Sequence, residues 1–362
     1  MPVRIDPGGV NAGTGKSACA TGMPSLTLRF AALAVSGGWN PELKSPPMQG
    51  LLGVTRIYWK HAAILLATGL FFQLAALHSG AQDQPERPRI TGVAYVRLYA
   101  SNIEQSEAFY SSVLGLPSSG GGCSGVTLPC FSVNGYQAVQ LEQASSPAPN
   151  NWLANIGYAT DDVSQLRAYL LSRGAAAGVI SKDGGGPPHF EMRDPEGNAV
   201  SFVQRTTAMA DYKVSPKQMS GRLIHAGFVV KDVAAENRFY VDVLGFKLYW
   251  QGGMKDDGLD WYELQVPDGD NWIEYMLNVP ATADHKALGA QNHFSFGVPE
   301  IQAAAERLRK NGVERIAGPG IGRDGKRGLN VYDPDDTRVE VTEFIPAREP
   351  CCHSYTAAHP QP

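Results

Sequence analysis

Two copies of one short motif decide the fold: Phe109-Tyr-Ser-Ser-Val-Leu-Gly115 and Phe239-Tyr-Val-Asp-Val-Leu-Gly245, which are 130 residues apart. A second motif also occurs twice, as Asp194-Pro-Glu-Gly-Asn-Ala-Val-Ser201 and Asp333-Pro-Asp-Asp-Thr-Arg-Val-Glu340, at an offset of 139 residues. Self-similarity at a fixed spacing is the sign of a repeated structural unit. Because the two motifs alternate along the chain, the sequence predicts four units.

The four units share one order of predicted elements. Each begins with a run of β-forming residues, at Val93–Leu98, Ile156–Ala159, Leu223–Val230 and Phe294–Val298. A segment with apolar residues at helical spacing follows, and it ends at a glycine that can adopt the left-handed conformation (Gly115, Gly174, Gly245, Gly312). Asp162 is placed as a helix N-cap. Two or three short strands complete each unit, so the predicted order is βαβββ, four times.

Composition bounds the class of protein. The chain has 362 residues, of which 43% are hydrophobic and 18% charged, as expected for a soluble globular protein with room for two domains. Its formal net charge of -4 offers no basic excess for nucleic acid, so a nucleic-acid partner is not predicted. The five cysteines form no CxxC pair, which argues against a thiolate zinc site.

The N-terminal part differs from the rest. Residues 1–47 have no sustained periodicity, and we interpret them as disordered or as a mis-assigned translation start. Residues 48–81 combine a basic segment, an apolar run of 16 residues and a small-residue end at Ser79-Gly-Ala81, which is typical of a secretory signal peptide. We therefore predict a secreted or periplasmic protein, with a membrane anchor as the alternative. In an exported protein Cys123 and Cys130 could form a disulfide, although two unpaired thiols are an equal alternative.

Four residues in the second half form a candidate metal site. His225, Glu274, His293 and Glu340 each occupy a matching strand position of a repeated unit. Two imidazoles and two carboxylates make a mixed nitrogen and oxygen set that suits a borderline divalent metal.

Residues 90–346 resemble the vicinal oxygen chelate superfamily, which includes glyoxalases, bleomycin-resistance proteins and extradiol dioxygenases. The FYxxVLG and DPxxxxxE motifs carry the resemblance. It implies an α+β fold of four βαβββ modules, paired into one domain at 90–206 and a second at 221–346, with a linker at 207–220 and a tail at 347–362. It also implies that the metal ligands come from the first and last strands of each unit, which assigns the four residues above to one ion (Ni, Co, Mn, Fe or Zn).

The corresponding positions of the first domain are Tyr95, Gln140, Asn155 and Ser201. None of them is a good metal ligand, so this domain is predicted to be metal-free. Nearby His189 and Glu191 do not occupy ligand positions, and we interpret them as solvated loop residues.

The resemblance favours a metal-dependent lyase or isomerase that removes a proton next to a carbonyl. Glu340 is the expected base, and Glu274 is the alternative. An extradiol dioxygenase is the second candidate, because His225, His293 and Glu340 would supply its two-His, one-Glu set. It is disfavoured because no histidine occurs between His293 and His353. A non-catalytic antibiotic-binding protein is the third candidate, and a homodimer that exchanges units remains open.

Four further residues are candidate substrate contacts. Trp261 could line an apolar cleft, with a core position as the alternative, and the loop at 322–328 could clamp an anionic substrate through Arg323, Lys326 and Arg327, with a solvated turn as the alternative. The arginine that helps to hold glutathione in glyoxalases falls at Val229, which favours a substrate without a thiol.

Overall fold

The computed structural model describes residues 85–119, 128–182, 186–205 and 212–362. The predicted signal peptide at 48–81 and Cys123 lie outside these residues, so export and the Cys123–Cys130 disulfide stay predictions. Within the described segments, no helix is both long enough and apolar enough to cross a membrane.

Fourteen strands are described. The first six are β1 Ile90–Ala100, β2 Cys130–Ser132, β3 Ala138–Gln143, β4 Leu153–Thr160, β5 His189–Arg193 and β6 Ala199–Gln204. The other eight are β7 Arg222–Val229, β8 Lys247–Gly252, β9 Trp261–Gln265, β10 Trp272–Met276, β11 His293–Val298, β12 Ala317–Ile321, β13 Arg327–Tyr332 and β14 Arg338–Glu343.

The helices are α1 Ile103–Ala108, α2 Val163–Ser172, α3 Val233–Asn237, α4 His285–Gln291 and α5 Ile301–Lys310. Helices α1 and α3 each continue into a wider π-helical turn, at Phe109–Val113 and Arg238–Val243. Asp162 caps α2 by accepting bonds from the backbone N–H groups of residues 164 and 165, as predicted. The four glycines that were expected to end the helices all have positive φ, between 72° and 96°.

The strands form two curled sheets, which confirms the predicted fold class. One sheet has the order β2-β3-β1-β4-β6-β5, and the other has the order β12-β13-β14-β11-β7-β10-β9-β8. The second sheet contains both complete βαβββ units. In the first sheet each helix is followed by two described strands, and isolated bridges at Ser118 and Ser181 precede them.

The two repeated motifs meet across the two halves of the molecule. Buried Tyr110 donates a hydrogen bond to Asp333 at 2.9 Å, and buried Tyr240 donates one to Asp194 at 3.3 Å. Each tyrosine belongs to the first motif of one half, and each aspartate belongs to the second motif of the other. The sequence signature that reveals the repeat therefore also joins the halves, through a reciprocal pair of buried contacts.

Two features differ from the predictions. His189 and Glu191 lie in strand β5 and not in a loop, and His189 is buried. The loop interpretation was wrong because polar and apolar residues do alternate along this strand, but over five residues only, which is a weak signal. Helix α4, which precedes β11, was also not predicted.

Candidate metal centre

The four predicted ligands lie on the four central strands of the second sheet. Glu274 is on β10, His225 on β7, His293 on β11 and Glu340 on β14. The strand register places Glu274 and His293 on either side of Gly227, and it places Ser295 between His225 and Glu340. Because alternate residues of a strand face the same side, all four side chains point to one face of the sheet.

The four side chains converge to contact distance. The Nε2 atoms of His225 and His293 are 3.1 Å apart. His225 Nε2 lies 3.1 Å from Glu340 Oε2, and His293 Nε2 lies 3.2 Å from Glu274 Oε2. The two remaining histidine–glutamate distances are 4.0 Å and 3.8 Å. One nitrogen or oxygen from each residue therefore faces a common point.

The site is largely buried, and its ionisable groups shift one another's pKa. Burial acts to raise the pKa of Glu340, but the hydrogen bond from His225 and the charge of Arg338 outweigh it, so this pKa lies below the usual range. Burial likewise acts to raise the pKa of Glu274, and the neighbouring His293 lowers it overall. Burial lowers the pKa of His293. Both acids are therefore held ionised and His293 tends towards its neutral form, the states that bind a metal ion.

These residues fit a divalent metal. His293 Nδ1 faces the backbone carbonyl of Gln291 at 2.9 Å, which orients the ring so that Nε2 points into the site. A carbonyl behind a ligating imidazole is the usual arrangement that fixes its tautomer. His225, His293 and Glu340 offer ligand atoms that all lie within 4.8 Å of one another. Glu274 completes a set of two neutral nitrogens and two anionic oxygens.

A cavity of about 410 Å³ opens directly onto the candidate ligands. Its wall includes the predicted residues Trp261, Arg323 and Lys326, together with His225, Glu274 and Glu340. Arg327 is not part of this wall, because it points away and pairs with Glu343 at 3.4 Å. The structure therefore places three of the four predicted substrate residues at the cavity and one on the opposite face.

Two charged residues at this cavity are buried, and of these Lys326 was predicted from the sequence whereas Glu263 was not. Glu263 lies opposite Glu274 in the strand pairing, is buried, and has a carboxylate oxygen without a partner among the described residues. Burial and the charge of Glu274 raise its pKa well above the usual range. Lys326 is also buried, with its ammonium 4.1 Å from the ring centre of Trp272.

The tail at 347–362 packs against Trp250 and Lys326 of this wall. Tyr355 packs against Tyr249 with ring centres 4.8 Å apart, and its ring lies 5.3 Å from the ammonium of Lys326. A disulfide joins Cys351 to Cys352 in the same segment. This packing was not predicted, because the tail lacks any periodic pattern.

The first half contains a built-in cation at the equivalent place. Strand pairing puts Arg97 between Gln140 and Asn155, as Gly227 lies between Glu274 and His293 in the second half. Arg97 is buried and donates to Gln140 at 3.0 Å and to Glu191 at 3.3 Å. Glu191 also accepts bonds from Asn155 and Ser201, both at 3.4 Å. The guanidinium thus occupies the space where the second half gathers its candidate ligands.

Comparisons with known proteins agree with this geometry. The model of the Glyoxalase/Bleomycin resistance protein/Dioxygenase superfamily matches residues 222–341. A lactoylglutathione lyase of Haemophilus influenzae is 30% identical over 125 residues, which are 34% of this chain and 92% of that protein. A probable chloroplastic lactoylglutathione lyase of Arabidopsis thaliana is 25% identical over 150 residues, and the match spans 41% of this chain and 43% of that relative.

Two solved structures illustrate the similarity of fold. An extradiol ring-cleaving dioxygenase of Brevibacterium fuscum has a TM-score of 0.54 and 22% identity, covering 71% of this chain and 73% of its own. The Mn(II)-bound glyoxalase of Novosphingobium aromaticivorans has the same TM-score and identity, covering 71% and 83%. The chain belongs to the Glyoxalase/Bleomycin resistance protein/Dioxygenase superfamily.

Proposed function

We propose that this chain is a metal-dependent, glyoxalase-like enzyme that moves a proton next to a carbonyl group in a small, oxygen-chelating substrate, as an isomerase or lyase. The observation that carries the proposal is the convergence of four ligand atoms, from two histidines and two glutamates, at the wall of one cavity. The names of the two relatives, both lactoylglutathione lyases, favour the same reaction class.

His225, Glu274, His293 and Glu340 would hold the ion, for which Ni, Co, Mn, Fe and Zn are the candidates. When bound, a divalent ion acts as a Lewis acid that polarises a chelated carbonyl. Glu340 is the proposed base: one of its carboxylate oxygens accepts the proton from the carbon next to the carbonyl and returns it to the neighbouring carbon. Its side chain is 23% exposed, against 12% for Glu274, so it is the more accessible of the two acids.

The aromatic wall supports this chemistry by limiting water around the reacting group. Trp250, Trp261 and Trp272 line the cavity, and Trp272 stacks on the His225 ring with centres 4.7 Å apart. A less polar surround strengthens the electrostatic interactions that steer proton transfer. The match to lactoylglutathione lyases does not extend the proposal to a glutathione adduct, because Val229 stands at the position of the glutathione-binding arginine.

An extradiol dioxygenase is the second candidate. It is supported by the compact group of His225, His293 and Glu340 and by the arginine-filled first half. Against it, His225 is the one histidine among the described residues of the cavity wall, so no further imidazole stands ready to act as an acid or base. Glu274 would also be an additional acid beside the iron.

Metal analysis of purified protein, together with two activity assays, tests the proposal. Wild type should hold about one equivalent of metal, and His293→Ala should lose it because the ring is buried within the site. His353→Ala is the matched control, since His353 is exposed in the tail and should leave the metal content unchanged. Equal metal content in wild type and His293→Ala would reject the site.

Activity then separates the classes. Proton exchange on 2-oxo and 2-hydroxycarbonyl compounds in D2O is expected, and it should be lost in Glu340→Gln. Oxygen uptake with catechols would instead select the dioxygenase. Tight binding of a small molecule without turnover would select a sequestering protein.

We further propose that the protein is exported, on the strength of the signal-like segment at 48–81. N-terminal sequencing of the secreted or periplasmic form should give a mature chain that begins close to residue 82. A mature chain that begins before Met48 would contradict this proposal.

A further inference from the structure

The cavity beside the candidate ligands changes its charge balance when an ion binds. Its wall carries four acids and three basic side chains: Glu263, Glu274, Asp324 and Glu340, and Arg323, Lys326 and Arg338. The formal balance is thus one negative charge, and a divalent ion would turn it into one positive charge. A loaded cavity of this kind favours a substrate that brings a negative charge of its own.

Arg338 is the basic residue best placed to receive that charge. It lies two residues before Glu340 on β14, so both side chains face the cavity. Its Nε atom is buried and has no hydrogen-bond partner among the described residues. A buried donor left without a partner costs about 1–3 kcal/mol, so the Nε–H of Arg338 at the cavity wall is expected to have a ligand.

The other two basic residues of the wall already have partners. Arg323 pairs with Asp256 and donates to the carbonyl of Gly253 at 3.0 Å. Lys326 donates to the Tyr249 hydroxyl at 3.2 Å and lies against three aromatic rings, so its charge is stabilised in place. Arg338 is therefore the basic side chain of the described wall whose donors are available.

We infer that the substrate carries a carboxylate in addition to the two oxygens that chelate the ion, and that Arg338 binds this carboxylate and sets the specificity of the site. The inference rests on the proposed function for the position of the chelating oxygens. A guanidinium can donate two parallel bonds to a carboxylate, which fixes the orientation of the bound molecule as well as its charge. Arg338 acts directly next to Glu340, so a substrate held there presents its adjacent carbon to the proposed base.

A matched pair of probes isolates the charge. 3,4-Dihydroxybenzoate and 3,4-dihydroxybenzamide share the same vicinal oxygens and differ in the anionic group, and their affinities are measured by calorimetry with metal-loaded and metal-free protein. Wild type should bind the benzoate about 10- to 100-fold more tightly than the benzamide, the range expected for a charge-assisted hydrogen bond. Arg338→Gln should bring this ratio close to one and leave the benzamide affinity unchanged. Arg338→Lys should give an intermediate ratio, because lysine keeps the positive charge but cannot donate two parallel hydrogen bonds to the carboxylate.

Arg327→Gln is the control for loss of one positive charge, since Arg327 lies on the opposite face and pairs with Glu343. It should keep the wild-type ratio. Equal affinities of wild type for both probes, or an unchanged ratio in Arg338→Gln, would overturn the inference. A ratio lost in Lys326→Gln and kept in Arg338→Gln would overturn the assignment to Arg338.

Metal content separates this inference from the proposed function. If the protein holds no metal but binds the benzoate more tightly, the result supports the anion site and contradicts the proposed metal-dependent enzyme. If the protein holds metal but binds both probes equally, the result leaves the proposed metal site standing and contradicts the anion site.

Discussion

Gly227 decides whether the candidate metal site can form, and Gly227→Ala is the sharpest test of the site. In the strand register this glycine separates Glu274 from His293. A Cβ atom built on it would lie 2.5 Å from Nδ1 and 3.0 Å from Nε2 of His293, and closer still to Cε1. Ordinary contacts of this kind are about 3.5–4.0 Å long, so the ring would have to retreat by about 1 Å.

A shift of that size removes His293 as a ligand. Metal–ligand distances tolerate about 0.2 Å, and a ring displaced by five times as much no longer reaches the ion. We expect Gly227→Ala to lower metal affinity at least about 100-fold, beyond the 10- to 100-fold effect of changes outside the ligand set. Crowding in the core should also cost about 1–3 kcal/mol of unfolding free energy.

Gly157→Ala in the first half is the matched control. Its Cβ would lie 2.5 Å from Cδ1 and 2.7 Å from Cζ of Tyr95, a similar clash in a half without candidate ligands. Both variants should therefore lose stability in urea titrations, but Gly227→Ala alone should lose metal in calorimetric titrations. Wild-type metal affinity in Gly227→Ala, or an equal loss in both variants, would refute the assignment of His293 as a ligand.

Three further predictions concern the stability of the fold and the packing of the tail. Tyr110→Phe should lower the unfolding free energy by about 1.5–3 kcal/mol, since it leaves a buried carboxylate with one donor fewer, and Tyr240→Phe should cost less because its bond is longer (3.3 Å against 2.9 Å), as measured by urea titration. Burial raises the pKa of Glu236 from 4.5 to about 8, so the protonated form stabilises the fold at low pH, and this stability is lost as the pH rises to 8. Glu236→Gln should therefore be more stable than wild type by on the order of 2 kcal/mol at pH 9 and similar to it at pH 4. The control Glu306→Gln, at an exposed site, should show no such pH dependence. Deleting residues 351–362 should red-shift tryptophan emission and increase acrylamide quenching, because Tyr355 then no longer covers the aromatic wall, and an unchanged spectrum would contradict the packing of the tail.

Local patterns in the sequence predict the elements well. The helix-ending glycines have positive φ and Asp162 caps its helix, because these features depend on a few neighbouring residues. The repeated motifs also predict which strands correspond, and the four candidate ligands meet as the resemblance implies. These predictions succeed because each feature depends on residues within one repeated unit.

What the sequence does not predict depends on contacts between distant residues. Arg338 is one of 31 lysines and arginines, and its free donors become apparent only when the cavity wall is assembled. The packing of Tyr355 against Tyr249 joins segments more than 100 residues apart without any pattern that links them. Such pairs are set by the packing of the whole fold, and composition or periodicity carries no information about them.

The two halves show opposite solutions at one position of the same sheet. Arg97 and Gly227 occupy the same position in the strand register of the two halves. Their neighbours also correspond: Gln140 matches Glu274, and Asn155 matches His293. Where this position is an arginine, its guanidinium fills the centre and the flanking residues are the amides Gln140 and Asn155. Where it is a glycine, the His293 ring enters the space that a side chain would fill, and the flanking residues are Glu274 and His293.

A carboxylate at this depth needs a positive charge close to it, because an uncompensated buried carboxylate is costly. In the first half the cation is part of the chain, and amides suffice around it because Glu191 balances its charge. In the second half Arg338 and Lys326 lie at the cavity wall, but no basic side chain stands between Glu274 and His293 in the strand register, so the proposed ion would supply the positive charge at this position. Arg97→Gly alone should therefore not create a metal site, since it opens the space without supplying carboxylates. Arginine at this position thus marks the half predicted to be metal-free, and glycine marks the half proposed to bind metal.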